Sequence, residues 1–176
     1  WGRLNLFAAA EGFGVFTGNV VINMDAAKGG FHAVDRWRND VSGSGKLVKQ
    51  GTGSLKLGGA NTWTGGTQLE GGTLEALSST AFGSGDVYVA AGGTLVSNAP
   101  APLVVSKYTQ LAKATLELRL GAAQQGRLTV AGQATIGGGA LRIVFQNGVK
   151  PAVGDTITVI NAGSLQGKFE TITVDG

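Results

Sequence analysis

The chain's one histidine, His32, lies near Asp35 and Asp40 in GGFHAVDRWRND. A carboxylate so close can orient a histidine as a general base. A nucleophile for that base is missing, because no serine stands in a G-x-S-x-G elbow and the chain has no cysteine. His32 is therefore expected to be an ordinary surface or packing residue. Cleavage of a polysaccharide would need carboxylates about 5–10 Å apart. If the chain coils about every 20 residues, residues one coil apart stack. Of the 11 acidic residues, only Asp155 and Asp175 are spaced by one such coil. They flank what read as terminal hairpins. Glu70 and Glu75 share one coil without an acidic residue above or below, and are expected to be solvated corner charges.

Ligand-binding motifs are equally incomplete. GSGDVYV at Gly83–Val89 partly matches a calcium-binding nonapeptide, but that site needs tandem repeats and this one occurs once. GSGK at Gly43–Lys46 fails as a phosphate loop: Asp40 stands where the first glycine belongs and Leu47 replaces the serine or threonine. Trp1, Trp37 and Trp63 are irregularly placed, which fits core or cap packing better than a row of sugar-stacking platforms. No catalytic residue, cofactor or metal ligand is assigned, and the chain is not expected to be an enzyme. The 14 basic residues are scattered, so nucleic acid is not an expected partner.

The elements that carry these residues are short. Glycine supplies 31 of the 176 residues, well above the usual ~7%, with 3 prolines and no collagen period. Apolar residues reach 43%, enough for a packed core. Residues 1–14 hold the only expected helix, near 3–11, where Leu4, Phe7 and Ala8 share a face. Thereafter the pattern predicts strands of three to five residues at Val20–Ile22, Lys46–Val48, Ser54–Leu57, Thr67–Leu69, Thr73–Glu75, Asp86–Val89 and Thr94–Val96. GGTLEALSS at Gly71 echoes GGTLVSNAP at Gly92, and GGALRIVF follows at Gly138. A repeat of this size buries its apolar row only by stacking on its neighbours, as in a β-solenoid. Leu55, Leu57, Leu69, Leu74, Val87, Val89 and Leu95 are its expected core.

Longer strands are predicted at Thr115–Leu120, Arg127–Val130, Ala140–Phe145, Thr156–Ile160 and Glu170–Val174, with turns at Gly148–Gly154 and Ala162–Gly167. This last third reads as the cap that a solenoid end requires, and as its most stable part. The expected organisation is a junction over 1–14, coils over 15–102 and the terminal region over 103–176. Trp1, in place of an initiator methionine, suggests a piece of a longer chain.

Gly43–Ala76, GSGKLVKQGTGSLKLGGANTWTGGTQLEGGTLEA, resembles the autotransporter-associated β-strand repeat. The agreement runs through Gly43, Gly45, Leu47, Lys49, Gly51, Gly53, Leu55, Leu57, Gly59, Asn61, Trp63, Thr64, Gly65, Gly66, Thr67, Leu69, Gly72, Thr73 and Leu74. Trp63 stands where Tyr or Phe is commoner. The motif positions singled out as structural are Asn61, Trp63, Gly65, Gly66, Thr67, Gly72, Thr73 and Leu74. Gly154–Gly176 is similar to the close of autotransporter passengers, and WGRLNLFAAAEG to the junction after a protease- or phosphatase-like passenger. The resemblance implies an all-β, right-handed parallel β-helix with a C-terminal cap of longer strands or hairpins. It also implies a stalk with an autochaperone end, exported to the bacterial surface or secreted. Its implied partners are a downstream outer-membrane barrel of the same polypeptide and an upstream passenger domain, with a host-surface or carbohydrate ligand unidentified. An adhesin module and a polysaccharide-acting β-helix enzyme are the alternative readings.

Overall fold

The computed structural model describes residues 12–122, 125–149 and 151–176. The helix expected near 3–11 lies outside the described residues. Alternating apolar and polar residues put one row of side chains inward on each strand, and that row requires a neighbour to cover it. The chain meets the requirement by coiling, so that each turn adds one strand to each of two long parallel sheets.

The first coil opens with β1 (Val15–Phe16) and β2 (Val20–Met24), and continues through the short helix α1 (Gly30–Ala33) to β3 (Val34–Trp37) and β4 (Ser42–Gly43). The next coils bring β5 (Leu47–Gly51) and β6 (Ser54–Leu57), β7 (Thr67–Leu69) and β8 (Gly72–Ala76), then β9 (Val87–Val89) and β10 (Gly93–Ser97). β11 (Leu103–Val105), β12 (Tyr108–Gln110) and β13 (Thr115–Leu120) follow. The last coils supply β14 (Leu128–Ile136), β15 (Ala140–Phe145), β16 (Ile160–Gly167) and β17 (Thr171–Asp175).

Sheet I runs β2-β5-β7-β9-β12-β14-β16, with β11 against the first half of β14, and sheet II runs β3-β6-β8-β10-β13-β15-β17. A third side is narrower. It starts with β1 on β4 and continues through single backbone bonds, including Thr64 N to Gly43 O and Ser84 N to Trp63 O. The chain is therefore a parallel β-helix.

The register fixes the coil length. Leu47, Thr67, Val87, Tyr108, Ala134 and Leu165 succeed one another in one column, so the coil grows from 20 to 31 residues towards the C-terminus. Gly72 faces Gly93, the 21-residue echo visible in the sequence. In sheet II, Leu55, Leu74, Leu95, Leu116 and Leu141 form an unbroken inward column. All seven apolar residues expected in the core lie in one buried cluster with Trp37, Trp63, Phe16 and Phe82.

The C-terminal third departs from expectation in its details. Its strands are long, but every ladder is parallel, and among the described residues the one antiparallel contact is the bridge Leu120–Gln125. The hairpin alternative is thus replaced by further coils. Ala162–Gly167, rich in Gly and Ser and read as a turn, is part of β16, because the free edge of β14 offers it a ladder that outweighs its weak strand propensity. Residues 156–159, read as strand, are irregular. The 31-residue last coil also moves Asp175 opposite Val144, so Asp155 and Asp175 do not stack. Its inward row is covered on one side only: Leu165, Ile172 and Val174 are 62%, 62% and 61% exposed. Long ladders therefore come here with thin apolar cover, and the tightest core belongs to the middle coils. Short helical turns at Ala26–Lys28 and Gly30–Ala33 bulge from the first coil, in a stretch whose turn residues are interleaved with bulky ones.

Candidate functional site: polar corners and an outer ion ladder

The residues that looked able to do chemistry are occupied otherwise. His32 is exposed on α1. The Asp35 carboxylate accepts from Trp37 Nε1 at 3.0 Å and from the Arg36 amide at 2.8 Å, while Asp40 accepts from the Ala60 amide at 2.6 Å. Neither aspartate bonds to the imidazole, and both hold backbone or core groups. Asp86 is exposed in its loop. Among the described residues, no three His, Cys, Asp or Glu side chains gather as a metal site.

The motif residues converge on the corners between sheets. Asn61 is buried, with Oδ1 accepting from the Val41 amide at 2.8 Å and Nδ2 donating to the Ala81 carbonyl at 2.8 Å. One side chain thereby ties three successive coils. Trp63, fully buried, donates from Nε1 to Gly66 O and to Thr67 Oγ1, each at 3.2 Å, and its ring lies 5.0 Å from that of Phe16. Thr67 passes its own proton to Phe82 O at 2.9 Å. A Cβ on Gly65 would collide with the Gly45 carbonyl, and Gly72 holds φ 65° with the Gly53 carbonyl against it. Leu74 is buried in the leucine column, and the Thr73 amide donates to Gly53 O at 3.1 Å.

Two further interior groups serve the corner between sheets I and II. Lys49 points inward and its ammonium donates to the carbonyls of Gln50 (2.9 Å), Gly71 (3.1 Å) and Gly51 (3.3 Å). Burial pushes its pKa down to about 8, while three acceptors match the three protons of the charged form. Three coils on, Gln110 occupies the same column and donates to Ala114 and Gly138 carbonyls at 3.1 Å. Tyr108 donates to Gln110 Oε1 at 2.8 Å, and burial raises its pKa strongly. These polar side chains are not defects in the core: they satisfy carbonyls that the tight corners turn inward.

The outer face of sheet II carries a second constellation. Lys56 pairs with Glu75 at 3.0 Å, Arg119 bridges Glu75 (3.1 Å) and Glu117 (2.7 Å), and Arg142 bridges Glu117 (3.0 Å) and Asp175 (2.7 Å). Asn98 adds a bond to Glu75 at 2.8 Å. The run of alternating charge crosses from β6 to β17. Glu75, expected as a solvated corner charge, is instead only 3% exposed. Burial alone would raise its pKa, but the bonds from Asn98 and Lys56 and the charges of Arg119 and Lys56 outweigh that and hold it below the ordinary value. Glu70 does stand outside, accepting from Gln50 at 2.6 Å and Gln68 at 2.7 Å. Carboxylates so committed hold strands in register and are poorly placed to shuttle protons.

Sequence reasoning missed the interior role of Lys49 and the ion ladder. The signal for the ladder was present: aligning SLKL, TLEA, TLVS, TLEL and ALRI on their leucines puts Lys56, Glu75, Val96, Glu117 and Arg142 in one column.

Residues 47–76 match the family model for the passenger-associated-transport-repeat. The chain is 40% identical over 79 residues, 42% of its length, to the Neisserial autotransporter lipoprotein NalP of Neisseria meningitidis. It is 32% identical over 108 residues, 60% of the chain, to the adhesin BmaC autotransporter of Brucella suis. It is 44% identical over 61 residues, 35% of the chain, to an extracellular serine protease of Serratia marcescens. The chain spans 7%, 3% and 6% of those relatives' lengths. No solved structure matches significantly. Residues 47–76 are therefore a passenger-associated-transport-repeat, and the chain is similar to parts of two proteins named as autotransporters and of an extracellular protease.

Proposed function

We propose that the chain is a structural segment of an autotransporter passenger, exported across the outer membrane to the cell surface or beyond. It acts as a stalk whose C-terminal coils serve as a folding cap, and it catalyses no reaction itself. The observation that carries this reading is Asn61. Its side chain completes the coil before it and the coil after it, so these coils are finished only when stacked. A chain built in this way can fold by adding coils one at a time to a formed edge, without an external energy source. The cap role falls to residues 103–176, where the nine-residue β14 and eight-residue β16 make the longest ladder. Residues 15–102 are then the stalk, and 1–14 the junction to an upstream passenger. Asn61, Trp63, Gly65, Gly66, Thr67, Gly72, Thr73 and Leu74 act as the coil-forming signature. The downstream partner is an outer-membrane barrel of the same polypeptide.

The test is display. The segment, fused to an autotransporter barrel in a Gram-negative host, should appear on intact cells as a protease-resistant fragment. Retention in the periplasm, or a surface form digested throughout, overturns the reading. A second reading, a surface-binding module, is favoured by the 108-residue likeness to a protein named as an adhesin.

A further inference from the structure

The two long faces of the solenoid differ in chemistry. On sheet II the outward charges neutralise one another. On sheet I the outward column runs Val21, Val48, Gln68, Tyr88, Thr109, Thr135 and Gln166, one residue per coil in strict register, and its last five members are polar or aromatic. No member of that column is charged. Gln50 and Glu70 flank it on one side, and Lys46, Asp86, Lys107 and Gln133 on the other, where Asp86 and Lys107 sit in adjacent coils with opposite charge. The polar heads are held in place: Glu70 accepts from both Gln50 and Gln68, and Gln133 donates to Gln166 at 3.3 Å.

Amides and hydroxyls recognise the hydroxyl groups of a ligand, and an aromatic ring covers a face of C–H bonds. Tyr88 supplies that ring between Gln68 and Thr109. Successive rungs of the column are spaced by the strand separation of about 4.8 Å, close to the length of one hexose. A ligand with one hydroxyl-rich, C–H-faced unit per rung is an extended polysaccharide. We infer that the outer face of sheet I binds a linear, uncharged polysaccharide laid along the solenoid axis. The inference rests on the surface-binding reading and is independent of the stalk, because display can succeed while binding fails.

The experiment presents the purified segment to immobilised cello-, xylo-, manno- and chito-oligosaccharides, with titration calorimetry on any that bind. At least one should bind, with little dependence on salt. Tyr88→Ala should weaken binding about tenfold or more, since one lost stacking contact corresponds to that ratio. Tyr88→Phe should keep most of the affinity, and Gln68→Ala and Thr135→Val should each reduce it. Arg142→Ala, on the opposite sheet, should leave it unchanged. Circular dichroism of each variant separates lost binding from lost fold. No binding at millimolar sugar, binding confined to anionic glycans and abolished by salt, or full affinity in folded Tyr88→Ala overturns the inference.

Discussion

Replacing Asn61 by alanine removes a tie between three coils. Two buried backbone groups lose their partners, the Val41 amide and the Ala81 carbonyl, each bonded at 2.8 Å. An unsatisfied buried polar group costs about 1–3 kcal/mol, so the pair sums to about 2–6 kcal/mol. Asn61 also borders an open cleft with Ser84 and Ser106, and water entering the space its side chain leaves would partly offset that cost. The expected loss is therefore about 2–4 kcal/mol, read by urea unfolding with the midpoint and slope fitted together. Amide exchange at Val41 should accelerate more than at Leu116, four coils away. Asn61→Asp gives a finer test: it keeps the acceptor for Val41 but sets a carboxylate against the Ala81 carbonyl. Its penalty should shrink as acid protonates that carboxylate and restores a donor. A loss below about 0.5 kcal/mol for Asn61→Ala, or equal acceleration at Val41 and Leu116, would refute the account of coil coupling.

Leu74→Ala, in the middle of the leucine column, should cost about 2–5 kcal/mol in the same assay; a near-zero change means the column is misplaced. The Glu75 pKa lies below its ordinary value of 4.5, so its contribution is complete above that pH and disappears as pH falls through the folded-state value. Glu75→Gln should accordingly flatten the acid limb of the stability profile, and an unchanged limb contradicts the ladder. Lys49 behaves in the opposite sense. With a folded pKa of about 8 against 10.5, its charged form is penalised on folding, so stability should rise between those values relative to Lys49→Met. Parallel profiles for the two proteins would show that the three carbonyls fully compensate burial. Assays on pectin-like polysaccharide, peptide and phosphate-ester substrates should stay at background, and turnover abolished by changing Glu70 or Glu75 would overturn the non-catalytic reading.

The coil was legible because the sequence repeats it. The echo of GGTL at 21 residues is the register Gly72–Gly93, and Ser54–Leu57, Thr67–Leu69 and Thr115–Leu120 are strands at their expected bounds. Legibility failed where pairing, not local pattern, decides. INAGSLQG has no alternation, and becomes strand because β14 leaves an open edge. The burial of Glu75 was hidden because an outward residue is normally wet. Here Lys56 and Arg119 arrive from other coils and cover it. Lys49 was hidden for the converse reason: a lysine in an alternating strand reads as outward until the corner carbonyls that need it are placed. The motif marked Asn61 and Trp63, but the Asn61 partners at 41 and 81, and the Phe16 ring against Trp63, emerge only once the coils are stacked.

Hydrogen exchange on the segment with and without Gly154–Gly176 tests the central claim, that each coil folds on the one after it from a C-terminal template. In the intact segment the middle coils, from Leu47 to Leu120, should exchange last, because their inward rows are covered on both sides. Without Gly154–Gly176, amides in Gly43–Gly72 should lose most of their protection, although they lie several coils from the cut. If those amides remain fully protected after the deletion, the terminal coils do not template the stack and the folding-cap account is wrong.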